Sequence, residues 1–170
     1  MRIVVVEDDE SLVEILSAFL SELGHKVVGV ADNRDKALAL AEYSKPDLVL
    51  MDVKLGTSFD GVDAALALRE RLGIPSMFVT AYADDKVVSQ AEKSMPYGYL
   101  VKPFERSELD VALKTAEKMI EVHLKIRAEE DTNRKNAEKL ELYRQSVLKA
   151  NYKFINSKKQ KLAAELTRNV

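Results

Sequence analysis

The first 120 residues alternate short apolar runs with longer stretches in which apolar residues recur every three or four positions. The short runs are rich in β-branched residues and predict strands, whereas the longer stretches have the period of an amphipathic helix. The predicted strands cover residues 2–6, 26–30, 47–51, 76–79 and 98–101. The predicted helices cover residues 12–20, 33–44, 61–72 and 84–93, and a fifth begins near Ser107, which is predicted to be its N-cap.

The third predicted strand is apolar at every position, not at every second one. That pattern is typical of a parallel strand covered by helices on both faces. Five such strands alternating with helices predict a doubly wound α/β fold. Because βαβ crossovers are right-handed, the carboxyl ends of the strands meet at one edge of the sheet, where such folds bind ligands.

A change in composition separates the last part of the chain from this α/β body. No glycine or proline occurs after Ser107, and residues 127–136 have almost no apolar content, which fits a helical spacer or a bend. Residues 1–120 carry 14 basic and 21 acidic residues (−7), and residues 121–170 carry 12 and 7 (+5). We therefore expect a domain at 1–120 and a basic α-helical or coiled-coil extension at 121–170.

Composition also excludes several classes of protein. The chain has no cysteine, so disulfides, thiolate catalysis and cysteine-bound zinc are ruled out. The first apolar run is interrupted at Glu7, and no stretch approaches the length of a membrane span. We expect a cytoplasmic protein with no membrane partner.

The residues at the predicted strand ends suggest a chemistry. Glu7 and Asp8 follow the first strand and Asp52 the third, so carboxylates crowd one edge of the sheet. A divalent cation with all-oxygen ligands, Mg²⁺ or Mn²⁺, is the natural counter-charge. Thr80 follows the fourth strand and Lys102 the fifth. With Asp52 they supply what phosphoryl transfer needs: a carboxylate nucleophile, a hydroxyl donor and a fixed ammonium.

Each of these residues alone has an ordinary structural explanation. Asp52 could cap a strand end, Thr80 could belong to a turn, and Lys102 could be a surface charge. The joint pattern favours function, because complementary groups follow successive strands of one sheet.

The segments VVVEDDE, LVLMDVKLG, FVTAYADD and GYLVKPFE, in this order and spacing, resemble the receiver domains of two-component signalling over residues 1–120. The resemblance implies a flavodoxin-like five-stranded sheet of order 2-1-3-4-5 and a cis bond between Lys102 and Pro103. It implies that Asp52 is the phosphorylated aspartate and that a histidine kinase or phosphotransfer protein is the donor.

The resemblance also assigns roles to single residues. It implies catalytic roles for Thr80 and Lys102, metal binding by Glu7, Asp8, Asp52 and the Lys54 carbonyl, phosphoryl contacts from the Ala81 and Lys54 backbone, and a switch formed by Thr80 and Tyr99. Tyr82 and Lys54 flank the site and could tune hydrolysis.

One departure and two rival classes bear on this interpretation. The loop at residues 56–61 lacks the proline common in the family and is one residue longer, which affects loop shape and partner choice. A dinucleotide-binding fold is disfavoured, because it would need glycines after the first strand, where Glu7 and Asp8 would instead repel a pyrophosphate. An aspartate-nucleophile phosphohydrolase would have an acid at Lys54. We therefore expect a phosphoacceptor that is not a turnover enzyme.

The extension leaves several outputs open. Leu140, Tyr143, Val147, Ala150 and Phe154 form one apolar stripe, and Leu148, Tyr152, Ile155, Leu162 and Leu166 form a second. These stripes favour a homodimer, a helical bundle or docking on a partner protein. The alternative is a transcription or antitermination regulator that binds nucleic acid through Lys149, Lys153, Lys158, Lys159, Lys161 and Arg168. A receiver cut from a larger effector or hybrid protein also fits.

Overall fold

The computed structural model describes residues 1–56, 60–81, 92–129 and 134–168. The chain divides into two compact units, Met1–Ile120 and Glu121–Val170. In the first unit, five parallel strands form one sheet in the order β2-β1-β3-β4-β5. They are β1 (Arg2–Val6), β2 (Lys26–Ala31), β3 (Leu48–Met51), β4 (Ser76–Thr80) and β5 (Tyr99–Val101). The predicted doubly wound, flavodoxin-like fold is confirmed.

Helices follow the strands as the apolar periodicity predicted. They are α1 (Glu10–Glu22), α2 (Arg34–Ser44), α3 (Asp60–Ala67), which continues into a π-helical turn (Leu68–Leu72), and α4 (Arg106–Glu129). Most of the helix predicted at 84–93 lies outside the described residues, and its last two residues, Glu92 and Lys93, are helical. Gly24 follows α1 in a left-handed conformation (φ 79°), as a glycine after a helix end should.

Side chains fix where these helices begin. The Asp9 carboxylate accepts hydrogen bonds from the first turn of α1, so this carboxylate is committed to capping. The prediction of Ser107 as an N-cap is wrong, because α4 already begins at Arg106. The Glu108 carboxylate instead accepts a 2.8 Å hydrogen bond from the backbone N–H of Glu105, the residue that precedes the helix.

The core lies where the helices cover the sheet. All four residues of β3 are buried, which confirms that both faces of this strand are covered. Leu109, Leu113 and Ala116 of α4 are fully buried in the same cluster, and Ile120 packs against it. Leu124, four residues after Ile120, is 59% exposed, so the buried line of this helix does not continue to it.

The second unit contains a 35-residue helix, α5 (Arg134–Arg168). Neither predicted stripe is buried as a whole: Val147 and Ile155, one from each stripe, are buried, whereas Tyr152 and Phe154 are exposed. The side chains of Leu162 and Leu166 lie outside the described part, as do residues 130–133, where the spacer was predicted to stay helical or bend. None of the described helices is long and apolar enough to cross a membrane.

His25 gives the first unit a pH-dependent stability. Its ring is 9% exposed, with Nδ1 3.2 Å from the Met1 amino group and 3.7 Å from the Glu117 carboxylate. Burial, and secondly the charge of the amino group, lower the pKa of His25 below 6.5, although Glu117 and Asp110 oppose this. The unfolded chain therefore binds more protons, so the contribution of His25 to stability is fully present above pH 6.5 and is lost as pH falls.

We expect the free energy of unfolding to fall less steeply with decreasing pH in His25→Gln than in the native chain. Urea titrations at a series of pH values below 6.5 measure this. Parallel curves for the two proteins would contradict the assignment to His25.

Candidate functional site

The strand-end residues are held side by side by backbone hydrogen bonds that continue the sheet. The Asp52 N–H donates to the Val6 carbonyl at the end of β1, and the Lys102 N–H donates to the Thr80 carbonyl at the end of β4, both at 2.9 Å. The Glu7 N–H similarly donates to the last residue of β2 at 2.9 Å. The predicted site residues therefore come together because each follows, or ends, a strand of one parallel sheet.

Lys102 bridges two carboxylates at the centre of this edge. Its Nζ donates to Glu7 Oε2 and to Asp52 Oδ2, both at 2.6 Å, and both carboxylates are nearly buried. Burial alone would lower the pKa of Lys102, but the hydrogen bonds to Asp52 and Glu7 and their negative charges raise it on balance. The pKa of Glu7 is raised, mainly by burial, although Lys102 opposes the rise. Lys102 therefore stays an ammonium facing Asp52.

Asp52 has a fixed orientation. One carboxylate oxygen, Oδ2, accepts from Lys102, and the other, Oδ1, accepts from the Lys54 backbone N–H at 3.1 Å. Asp8 is more exposed, and its Oδ2 accepts a 2.9 Å hydrogen bond from the backbone N–H of Gly56. The loop after β3 thus positions both carboxylates through its own backbone.

The carboxylates of Glu7, Asp8 and Asp52 form a cluster whose ligand oxygens lie within 4.8 Å of one another. Octahedral Mg²⁺ at about 2.1 Å from each oxygen places cis ligands about 2.9 Å and trans ligands about 4.2 Å apart, so small side-chain shifts suffice. Three carboxylates and one ammonium leave a net charge of −2, which one divalent cation balances. The donor set fits Mg²⁺ in both geometry and charge.

Three further predicted residues lie in β4 and β5 or directly after β4. Thr80 ends β4 and is 2% exposed, and Ala81, directly after it, is exposed. The Tyr99 ring is buried and stacks on Phe78, with ring centroids 5.7 Å apart and an interplanar angle of 26°. Tyr82 lies outside the described residues. The bond between Lys102 and Pro103 is cis, as expected.

Gly61 in α3 has a role that was not predicted from the sequence. A β-carbon built on Gly61 would overlap the backbone carbonyl oxygen of Asp52 and would lie 2.9 Å from the carbonyl oxygen of Val53. The helix therefore packs directly on the backbone that carries the Asp52 side chain, and only a residue without a side chain fits there. An isolated glycine beside a strand-end loop was the available signal.

Removing the ammonium of Lys102 should destabilise the site. In Lys102→Met at pH 7 with a chelator present, Glu7 and Asp52 face each other with no counter-charge, and we expect unfolding to require about 2 kcal/mol less free energy. The control is Lys114→Met, because that lysine is 69% exposed and pairs with Asp110 at the surface. Its substitution should change stability by no more than about 0.5 kcal/mol. Equal urea midpoints for the two variants would refute the bridging role of Lys102.

This fold and site define a class of protein: a doubly wound α/β domain with an oriented aspartate, a hydroxyl, an ammonium and an acidic cluster at one sheet edge. The family model of the response regulator receiver domain matches residues 3–114. The chain belongs to this family. It is a receiver domain of the response regulators of two-component systems, which is a signalling domain.

Individual relatives agree with the family. The transcriptional regulatory protein PdtaR of Mycobacterium tuberculosis is 39% identical over 116 residues, which are 68% of this chain and 56% of PdtaR. The phyllosphere-induced regulator PhyR of Methylorubrum extorquens is 32% identical over 116 residues, 68% of this chain and 43% of PhyR. The chain thus spans about half the length of the curated relatives it matches.

A solved structure supports the same assignment. The signal receiver domain of a modulated diguanylate cyclase from Desulfovibrio desulfuricans has 30% sequence identity and a TM-score of 0.66. The match covers 71% of this chain and 96% of that one.

Proposed function

We propose that Asp52 accepts a phosphoryl group from the phosphohistidine of a histidine kinase or a phosphotransfer protein. The observation that carries this proposal is the orientation of the Asp52 carboxylate, whose two oxygens are held by the Lys54 N–H and the Lys102 ammonium. An oxygen of Asp52 attacks phosphorus as the phosphorus–nitrogen bond breaks, and the imidazole leaves and is protonated. The product is an aspartyl phosphate.

The metal belongs to the same proposal. Glu7, Asp8, Asp52 and the Lys54 backbone carbonyl would hold Mg²⁺ or Mn²⁺. Bound there, the cation would neutralise part of the negative charge of the phosphoryl group.

The remaining residues would act on the phosphoryl oxygens. Lys102, already paired with Asp52, would pair with a phosphoryl oxygen as charge builds up, and the Lys54 and Ala81 N–H groups and the Thr80 hydroxyl would donate to others. The chain accepts one group per cycle and catalyses no turnover of a separate substrate.

The output would pass through Thr80 and Tyr99. Movement of the Thr80 hydroxyl toward the phosphoryl group would change the packing of the buried Tyr99 ring and the face formed by β5 and α4. Helix α4 runs from Arg106 to Glu129 and leads toward the extension. We propose that phosphorylation thereby controls association of the extension with a second copy or a partner protein in the cytoplasm.

The phosphoacceptor proposal is tested on the native chain with acetyl phosphate as the donor. With Mg²⁺, we expect the intact mass to rise by one phosphoryl group, and hydroxylamine should remove it, as it removes acyl phosphates. A chelator should prevent the uptake. Absence of uptake with Mg²⁺, or a product stable to hydroxylamine, would refute the proposal.

Association of the extension is tested by solution mass. We expect the full chain, but not a chain ending at residue 126, to change its oligomeric state when phosphorylated. A monomer in every condition would refute control of association.

A further inference from the structure

One segment of helix α5 carries charges of a single sign. Between residues 142 and 161 the sequence contains six basic residues and no acidic one. They are Arg144, Lys149, Lys153, Lys158, Lys159 and Lys161. These 20 residues form a helix about 30 Å long, so the charge is concentrated in a segment about as long as nine base pairs of duplex DNA.

Exposed aromatic rings lie among these charges. Lys149 and Lys153 are exposed and one helical turn apart, so they share one side of α5. Tyr152 and Phe154 directly flank Lys153 in sequence and are 41% and 44% exposed. Tyr143 is also exposed, at 39%. Going around the helix, Lys149 and Lys153 lie between Tyr152 on one side and Tyr143 and Phe154 on the other, so the five residues occupy about 200° of its circumference. We call these five residues the basic aromatic face.

Other features of α5 argue against a simpler explanation, in which these rings belong to one apolar surface that packs on another helix or on a membrane. Val147 and Ile155 are 9% and 2% exposed, so these two apolar residues of the helix are already covered. Tyr152 and Phe154 are about 200° apart around the helix, because each residue turns the helix by about 100°. A membrane-surface helix needs one continuous apolar side, and these rings do not form one.

We propose that the basic aromatic face binds single-stranded nucleic acid. The cations would neutralise backbone phosphates, and the exposed rings would stack on unpaired bases, which offer a π-face whatever their sequence. An acidic protein would match the charge, but the rings interleaved with the cations favour a ligand with both phosphates and stacking surfaces. This activity is independent of phosphoryl transfer at Asp52.

The test uses the full chain and fluorescence anisotropy. The probes are mixed-sequence, labelled RNA and DNA single strands of about 20 nucleotides and a DNA duplex of about 20 base pairs, a length that exceeds the reach of the face. We expect both single strands to bind more tightly than the duplex, and affinity to fall as salt rises from about 50 to 200 mM. A difference between the RNA and DNA strands would identify which of the two the face prefers.

Two pairs of variants separate the contributions of charge and of stacking. Lys149→Glu/Lys153→Glu should weaken single-strand binding at least about tenfold, whereas Lys26→Glu/Lys93→Glu, with the same change in net charge, should have little effect. Tyr152→Ser/Phe154→Ser should also weaken it about tenfold, and Leu142→Ser serves as its control. Circular dichroism should show unchanged helix content in all variants.

Several results would overturn the proposal. These are tighter binding of the duplex, single-strand binding that survives either pair of face variants, and failure of all three probes to bind at about 50 mM salt. The last result would leave an acidic protein as the ligand of this face. Loss of phosphoryl uptake in a variant at Asp52 would have no bearing on it.

Discussion

Asp52→Asn should take up no phosphoryl group from acetyl phosphate and Mg²⁺ under conditions in which the native chain takes up one. The amide has the shape of the carboxylate but lacks its nucleophilic anionic oxygen. The loss should therefore be complete, not merely a slower rate. Intact-mass spectrometry after matched incubation times measures it directly.

A matched control is available in α3. Asp63 is an exposed aspartate in the first turn of α3, and Asp63→Asn makes the same chemical change outside the cluster. We expect it to take up the phosphoryl group as the native chain does. A mass gain that persists in Asp52→Asn would move the acceptor to another residue and refute the assignment.

Much of the fold could be predicted because its signals are local. A strand buried on both faces must be apolar throughout, and β3 shows this pattern in both sequence and structure. The helices between the strands have an apolar period that differs from that of a strand, so the alternation was visible without any distance information. Topology rules then fixed which ends of the strands meet.

Local patterns were less informative at helix ends and in the extension. Ser107 has the chemistry of an N-cap, but Glu108 holds the N–H of Glu105 from inside the first turn, and the two arrangements start the helix two residues apart. In α5, two overlapping stripes compete for burial. Periodicity alone does not show that Val147 and Ile155 are covered while Phe154 is exposed.

In the site, the residue types were predictable but the contacts between them were not. Strand ends predicted that Glu7, Asp52 and Lys102 would lie close together. Whether Lys102 reaches both carboxylates depends on atomic positions to within tenths of an ångström, and no sequence pattern specifies positions so closely. The close approach of Gly61 to the backbone of Asp52 is a contact of the same kind.

Gly61→Ala should be among the most damaging substitutions in the chain. The new β-carbon would overlap the Asp52 carbonyl oxygen, which belongs to the backbone and cannot rotate away, so α3 or the strand-end loop must move. We expect the free energy of unfolding to fall by about 3 kcal/mol or more, at or beyond the upper end for an overpacked core. Phosphoryl uptake should slow as well, because any shift of the Asp52 backbone displaces the carboxylate from Lys102 and Asp8.

Gly29→Ala distinguishes a crowded backbone from a crowded side chain. Its β-carbon would lie 2.5 Å from Cδ2 of Leu40, which is the end of a flexible side chain that can change rotamer. We expect a loss of about 1 kcal/mol and normal phosphoryl uptake, since Gly29 lies in β2, away from Asp52. If the two variants have equal stability and equal uptake rates, Gly61 does not position the backbone of Asp52. If only Gly61→Ala loses uptake at a temperature where both are folded, the packing of α3 against the loop sets the position of the phosphoacceptor.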